Sequence, residues 1–589
     1  MINIKINGKP LQVEDNITVL EAAKKVNIKI PTLCYNPNLQ PWASCGICIV
    51  RTAGPGSPRM ARACITQVTE NMDIITHDPE IIETRRTVVE LILSNHPDDC
   101  LQCPRNKNCE LQTLAEEFGI REARYKKLLS GLPVDDSNPA IVLSPEKCVS
   151  CGRCVTVCKD VQNVWALEFM GRGFKGHIAS AADTPLGEGP CIKCGQCAAH
   201  CPVGAIYERD DTPQVWAALQ NPEIHPVVQI APAVRVALAE EFGLPPGTLF
   251  TKKIYAALRQ LGFKTVFDTN FGADLTIMGE GSELVKRLTG NGPIPLITSC
   301  CPAWVDYLEK KYTDMIPNFS TAKSPQQMMG AMIKTYWAEK AKVKADKVYS
   351  VSVMPCTAKK SETRRNDDMK SSGFGWDVDI VITTRELARM IKQAGIEVLK
   401  LDDEEADNPL GPYTGAATIF GVTGGVMEAA VRSAYFLVTN KELGDVNFKP
   451  VRGLEGVKEA EVDFGVDVGG KGTKLRIAVA HQMGNIAAVL EKIRAAKDAG
   501  QESPYHFIEV MACRGGCVGG GGQPYGCTDE IRKQRTAGIY QDDEKSQYRC
   551  SHQNPFITQV YKEFLGEPNG HKAHELLHTK YEERPLYLK

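Results

Sequence analysis

Residues 507–524 read FIEVMACRGGCVGGGGQP. The stretch Phe507–Met511, apolar but for Glu509, reads as a strand, and Cys513 follows at its carboxyl end. Cys517 comes four residues later inside a glycine run. Without Cβ atoms such a run lets backbone close in on a bulky group and offers it N–H donors. No Lys-Ser/Thr pair follows, so this is not a phosphate loop. Other apolar runs also lead into cysteines. IPLI (294–297) leads to Cys300 and Cys301, and VYSVSV (348–353) leads to Met354-Pro355-Cys356. VVQI (227–230), followed by the turn Ala231-Pro232-Ala233, and LRIAVA (475–480) read as further strands. Amphipathic segments such as Pro325–Lys340 and Ile486–Ala496 read as helices between them. Strands alternating with helices predict an open α/β sheet, whose ligands bind outside the carboxyl ends of its strands. That geometry would gather Cys301, Cys356, Cys513 and Cys517 around one buried site. One buried cysteine is usually a small hydrophobe. Four at strand ends, two of them beside glycines, point to a metal group.

The rest of the chain agrees. It has 589 residues and 22 cysteines, 15 of them before residue 202 and none between Cys201 and Cys300. Its length predicts roughly three to five domains. The 69 Lys and Arg against 71 Asp and Glu give a net charge of -2, which argues against a nucleic-acid binder built on a basic face. With 43% hydrophobic and 24% charged residues the chain is ordinary globular material, not a disordered one. No apolar run reaches the ~18 residues of a membrane span. The start, MINIKINGKP, shows no apolar signal core and no twin-arginine motif, so it reads as folded from its first residue. The expectation is a cytoplasmic protein. There, cysteines mean metal or catalysis more often than disulfides.

Three cysteine groups precede the α/β stretch. In the first, Ile2, Ile4 and Ile6 alternate, Asn7-Gly8 makes a hairpin turn, Leu11 and Val13 resume, and Val19–Val26 is helical. This reads as a β-grasp unit carrying Cys34, Cys45, Cys48 and Cys64. Four thiolates hold zinc or a [2Fe–2S] cluster, and the hairpin-helix setting favours the cluster. The second group is His96, Cys100, Cys103 and Cys109, in HPDDCLQCPRNKNC. It fits zinc or a His-ligated cluster. Lying between two other cluster sites, it favours the cluster, because a zinc ion there would interrupt an electron wire. The third group pairs Cys148, Cys151, Cys154 and Cys158 with Cys191, Cys194, Cys197 and Cys201, the last followed by Pro202. This is the two-cluster ferredoxin run, in which the fourth cysteine of each run serves the other cluster. One [4Fe–4S] cluster would use Cys148, Cys151, Cys154 and Cys201, and the other Cys191, Cys194, Cys197 and Cys158.

The expected architecture is multidomain α+β and α/β. It comprises a [2Fe–2S] ferredoxin-like β-grasp domain (1–78), a small His-ligated 4Fe–4S domain (79–125), a bacterial-type two-cluster ferredoxin domain (126–208) and a large α/β domain (209–589). The front end resembles the ferredoxin-like part of complex I's iron–sulfur subunit and of large hydrogenases. TSCCPAW (298–304), MPCTAKKSE (354–362) and EVMACRGGCVGGGGQP (509–524) resemble the three signatures of the [FeFe]-hydrogenases. The resemblance covers essentially the whole chain, HELLHTKYEERP near its end included, and is nearest to the large clostridial-type enzymes and the catalytic subunits of multimeric NAD(P)-linked hydrogenases.

The resemblance implies an H-cluster: a [4Fe–4S] cubane joined through a cysteine sulfur to a diiron subcluster with CO, CN⁻ and azadithiolate. By motif position Cys301, Cys356, Cys513 and Cys517 would hold it, with Cys517 as the bridge. Cys300 would exchange a proton with the bridge amine, and Glu280, Ser320, Glu283 and Arg287 would continue the proton route. On their own, Glu280, Glu283 and Arg287 read as a solvated helix face. Lys359, by type usually exposed, would face a cyanide ligand. Met354, Met511, Ala231, Pro232 and Gln326 would line the pocket, as would Phe420. Ala303 replaces the usual glycine of TSCCPGW, and Ala233 stands where some relatives have serine. The implied activity is reversible H₂ oxidation and proton reduction. Three further [4Fe–4S] clusters and one [2Fe–2S] cluster would relay electrons to ferredoxin or to flavin/NAD(P)-binding partner subunits, with electron bifurcation as one form of that coupling. The chain has no dinucleotide fingerprint of its own. Diiron-site maturation proteins would be further partners. The alternative readings are an H₂ sensor or non-turnover assembly scaffold of similar sequence, and an electron-transfer subunit like that of complex I. Cys527 and Cys550 have no role by these arguments.

Overall fold

The computed structural model describes residues 1–54, 56–122, 124–290, 292–470 and 472–588. They form two compact units: Met1–Val161 with Trp165–Gly189 and His200–Tyr207, and Gln162–Val164 with Pro190–Ala199 and Glu208–Lys589.

In the first unit, β1 (Ile2–Ile6) and β2 (Lys9–Val13) pair antiparallel across Asn7 and Gly8, whose φ values of 50° and 78° are those of a primed hairpin turn. Helix α1 (Val19–Lys25) opens on a capping box between Thr18 and Glu21. β3 (Ile49–Gly54), β4 (Gly56–Arg62) and β5 (Asp73–Ile75) complete a sheet of order β2-β1-β5-β3-β4, with β5 parallel to β1. Ile4, Ile6, Val19, Leu20, Val50 and Ile74 fill its core. The hairpin at Asn7-Gly8 and the helix after it are those read from the sequence. Helix α2 (Pro79–Ser94), capped by Asp78, runs towards His96, and α3 (Glu110–Glu117) starts directly after Cys109. A small hairpin of β6 (Glu168–Met170) and β7 (His177–Ala179) lies in the ferredoxin-type stretch.

The second unit holds two four-stranded sheets. One is fully parallel, with β8 (His225–Ile230), β9 (Thr265–Asp268), β11 (Val348–Met354) and β12 (Ile380–Thr383) in the order β9-β8-β11-β12. The other has the order β10-β15-β14-β13, from β10 (Leu296–Ile297), β13 (Val457–Asp463), β14 (Lys474–His481) and β15 (Phe507–Met511); only β13 is antiparallel. The strand expected over 294–297 is confined to Leu296 and Ile297; Pro295 has no N–H to give a ladder. The principal helices are α4 (Thr269–Thr289), α5 (Pro302–Lys311), α6 (Pro325–Met332), α7 (Gly425–Thr439), α8 (Met483–Asp498) and α9 (Asp529–Lys545). The helix expected to Lys340 does reach it, but through a π-turn at Ile333–Trp337. Among the described residues no helix is long and apolar enough to cross a membrane.

Candidate active site

The carboxyl ends of β8, β10, β11 and β15 converge on one cavity of about 80 Å³. Its walls carry Cys301, Cys356, Cys513 and Cys517 together with Cys300 and Lys359. Ala231, Pro232, Gln326, Met354, Met511 and Phe420 line it as well, as does Ala233. Ala303 is buried in the first turn of α5 and is not part of the lining.

The glycine run works by close approach. Gly516 has φ 89°, and a Cβ there would come within 2.6 Å of the Thr423 nitrogen and 2.8 Å of the Met511 sulfur. At Gly520 a Cβ would lie 2.2 Å from the Pro355 carbonyl oxygen. These contacts press the Cys517 loop against the loop of Cys356, and Gly522 N–H donates to the Pro355 carbonyl at 2.8 Å. Gln523 Nε2 donates to the Ala233 carbonyl at 2.9 Å. Arg385 grips the run from behind: Nη2 donates to the Gly521 carbonyl (2.8 Å), while Nε and Nη2 form a two-pronged pair with buried Glu208 (2.9 and 2.7 Å).

Burial raises all four thiols, Cys356 and Cys517 to about 12, and repulsion from neighbouring cysteines adds to it at Cys356, Cys513 and Cys517. Four sulfurs facing one cavity beside a single lysine are a poor hydrophobic core and a good donor set for iron, which would offset the cost of ionising them. The residues therefore fit an iron–sulfur group. Gln196 lies in the same unit and donates from Nε2 to Cys513 Sγ at 3.2 Å and to the Gly519 carbonyl at 3.1 Å. A donor to sulfur of this kind tunes a bound cluster.

Lys359 is buried, not exposed as its residue type suggests. Its Nζ donates to the Cys300 carbonyl (3.1 Å) and to both Glu362 oxygens (3.1 and 2.9 Å). Burial opposes the charge, and Glu362 more than offsets it, so the ammonium persists. Glu362 in turn accepts from Ser324 and from Gln326 Nε2 (2.9 and 3.0 Å).

The residues that read as a solvated helix face are turned inward. Glu280 is fully buried on α4, and Arg287 is 9% exposed. Arg287 Nη2 pairs with Glu283 at 2.6 Å, and Ser320 Oγ donates to the other Glu283 oxygen at 2.9 Å. Neither Glu280 oxygen has a partner in good hydrogen-bonding geometry; the Ser320 hydroxyl and the Ser299 N–H are the donors that face it. Burial, helped by Glu283, raises the Glu280 carboxyl to about 8. Glu280 also acts electrostatically on the Cys300 thiol, which burial holds well above its ordinary value. Cys300, Glu280, Ser320, Glu283 and Arg287 thus form a file of neighbours leading away from the cavity.

In the first unit, the Cys45 side chain acts on Cys34 and that of Cys64 on Cys48, lowering both thiols against their burial. Cys148, Cys151, Cys154 and Cys201 share the wall of one small cavity. His96 is buried, with Nδ1 unpartnered and its pKa lowered by burial to about 4. Neutral imidazole is the ligating form. Cys109 senses the charge of Cys103.

Glu362, Gln196, Arg385 and Gln523 were not among the residues expected from the sequence. Glu362 sits in the quoted MPCTAKKSE stretch at i+3 from Lys359, and Gln196 lies between Cys194 and Cys197, so a local signal existed for both. Arg385 lies more than a hundred residues from the loop it holds, and nothing local marks it.

Family comparisons agree with this geometry. Residues 224–521 match the C-terminal domain of the iron-only hydrogenase large subunit, and 529–584 the iron hydrogenase small subunit. Upstream, 1–79 match a 2Fe-2S iron-sulfur cluster binding domain, 85–124 the NADH-ubiquinone oxidoreductase-G iron-sulfur binding region, and 188–207 a 4Fe-4S binding domain. The chain is 47% identical to the NADP-reducing hydrogenase subunit HndD of Solidesulfovibrio fructosivorans, over 99% of both chains. It is 40% identical to iron hydrogenase 1 of Clostridium pasteurianum, over 99% of this chain and all of that one. A solved structure of a variant of [FeFe]-hydrogenase HydA1 from Chlamydomonas reinhardtii superposes with a TM-score of 0.56 at 43% identity, over 64% of this chain and 100% of that one. With cysteines at the strand ends, an iron-type donor set and these matches along its whole length, the chain belongs to the iron-only hydrogenase family and is an [FeFe]-hydrogenase.

Proposed function

We propose that the cavity at Cys301, Cys356, Cys513 and Cys517 is where this hydrogenase interconverts H₂ with two protons and two electrons. The observation that carries the reading is the convergence of those four thiols with Cys300 and Lys359 on one wall. The four cysteines would hold the H-cluster, with Cys517 bridging its two parts. When bound, the H-cluster supplies an open metal position for H₂ and a store for electrons. Lys359, kept charged by Glu362, sets a fixed positive charge in an otherwise apolar wall and favours anionic ligands there. Met354, Met511, Pro232 and Phe420 keep water out. Cys300 is the cavity's proton carrier, and protons pass between it and the surface by Glu280, Ser320, Glu283 and Arg287.

The test is to load the full chain using diiron-site maturation proteins and record infrared spectra alongside H₂-dependent reduction of a viologen dye. Bands of iron-bound CO and CN⁻ together with turnover are expected. Bands without turnover would make the chain a sensor, and iron-replete protein without bands would overturn the reading.

The domains proposed for the front end are 1–78, 79–125 and 126–208, ahead of the catalytic 209–589. They would carry one [2Fe–2S] and three further [4Fe–4S] clusters on the ligand sets read from the sequence. His96 should be one of those ligands. Replacing imidazole by thiolate adds negative charge at the metal, so His96→Cys should lower one cluster's potential in an EPR-monitored redox titration; an unchanged set of potentials would contradict ligation. Because the relative at 47% identity is named as NADP-reducing, the electron partner is proposed to be an NAD(P)-linked partner protein.

A further inference from the structure

Away from the cavity, in the second unit, three ligand-type side chains meet. Glu442 lies just beyond the end of α7, and Cys550 and His552 follow α9. Their ligand atoms all lie within 4.8 Å of one another. Cys550 is buried (1% exposed), the His552 side chain is 5% exposed, and the Glu442 side chain is 54% exposed. The group is therefore walled on the protein side and open towards solvent through Glu442.

The surrounding contacts fix it in place. His552 Nε2 stands 3.2 and 3.3 Å from the two Glu442 oxygens. The other ring nitrogen, Nδ1, is 3.2 Å from Ser433 Oγ, and the ring stacks on Phe436 at 4.3 Å with a 4° tilt. Gln553 ties the remaining pieces. Its Nε2 donates to Glu442 at 3.1 Å, and its Oε1 accepts from the N–H groups of Arg549 and Cys550, each at 3.2 Å.

We propose that Glu442, Cys550 and His552 form a three-ligand site for a divalent metal of the zinc type, with one position left for water. Carboxylate oxygen, thiolate sulfur and imidazole nitrogen are zinc's ligands, and three protein ligands plus a water make a tetrahedral site. In a tetrahedron with bonds of ~2.0–2.1 Å, the nitrogen–oxygen edge is about 3.3–3.4 Å; the observed His552–Glu442 separations are 3.2 and 3.3 Å. With Nε2 on the metal, the far ring nitrogen Nδ1 would donate its N–H to Ser433 Oγ at 3.2 Å, the second contact that orients a ligating histidine. Binding involves no redox change: Zn²⁺ forms a bond to the Cys550 sulfur and the thiol proton leaves to solvent.

The placement gives the site a role. Glu442 belongs to the stretch that matches the hydrogenase large subunit (224–521), while Cys550 and His552 belong to the stretch that matches the small subunit (529–584). A metal at this point would clamp the two stretches together.

Zinc K-edge X-ray absorption tests this on the iron-replete full chain, because it reports zinc alone against the background of iron. After equilibration with ZnCl₂ and removal of loosely held metal, one zinc per chain with one sulfur and three nitrogen or oxygen neighbours is expected. Cys550→Ser should abolish the zinc–sulfur signal, and His552→Gln should release the metal. Ser433→Ala, which leaves every ligand in place, should weaken zinc binding about 10–100-fold. Iron content and H₂ turnover should not change in any of them. Zinc with two or more sulfur neighbours, or the same sulfur signal in Cys550→Ser, would overturn the proposal, as would unchanged zinc affinity in both His552→Gln and Ser433→Ala.

Discussion

Replacing Cys300 by alanine is expected to cut H₂ turnover by about 10²–10⁴-fold while leaving iron content and the infrared bands of the diiron centre in place. The resemblance to the [FeFe]-hydrogenases implies this role, and the cavity wall is compatible with it. Apart from the four cysteines assigned to the metal group, the titratable side chains among the lining residues are Cys300 and Lys359. Lys359 is held by Glu362 and kept charged, so it is not free to give and take a proton each cycle. The remaining lining groups are apolar, amide or hydroxyl. Cys300 is the thiol there not assigned to the metal group, and burial keeps it protonated and able to donate. Cys300→Ser separates proton transfer from packing. The hydroxyl nearly preserves volume but is a far weaker acid, so serine should be almost as inactive as alanine. Dye-linked assays in both directions read the effect, and full turnover in either variant would remove Cys300 from the proton route.

What could be read in the sequence follows from how far each signal reaches along the chain. Cysteines two to four residues apart, and strands that run directly into them, are local patterns, and they led to the parallel sheets and to a cavity at their carboxyl ends. The spacing of Glu280, Glu283 and Arg287 likewise says that they share a side of α4. It cannot say what covers that side. The solvated face suggested by their charge is a buried one, because α4 packs against both α6 and α7, and the pair Glu283–Arg287 meets the Phe319–Ser320 segment. Lys359 misleads for the same reason: its burial is made tolerable by Glu362, and only the folded turn shows that carboxylate reaching it. Arg385 had no signal at all, since its carbonyl partners Gly521 and Gln523 reach it only through the sheet.

Glu280→Gln should produce the second large effect, and its pH dependence identifies the cause. The Glu280 carboxyl is buried, with Glu283 adding repulsion from its own helix and Glu509 from the second sheet; the Ser320 hydroxyl and the Ser299 N–H relieve this only in part. The result is a pKa of about 8 against an ordinary value of 4.5. Near neutral pH the group is therefore mostly protonated and able both to donate and to be recharged. An amide of the same shape cannot release a proton, so turnover should fall by about 10²–10⁴-fold. The stability effect has the opposite sign. Below the unfolded pKa both states carry the proton and Glu280 costs nothing. As pH rises from about 4.5 towards about 8, the unfolded chain ionises while the folded one does not, and the native state loses up to ~1.4 kcal/mol per pH unit. Above about 8 the loss is complete and stays constant. Glutamine has no such slope. The melting temperature of Glu280→Gln relative to the unsubstituted enzyme should therefore climb with pH across this window and then level off, as the same variant remains inactive throughout. A flat difference in melting temperature would mean that Glu280 is not the buried neutral acid described, and unimpaired turnover would take it off the proton route.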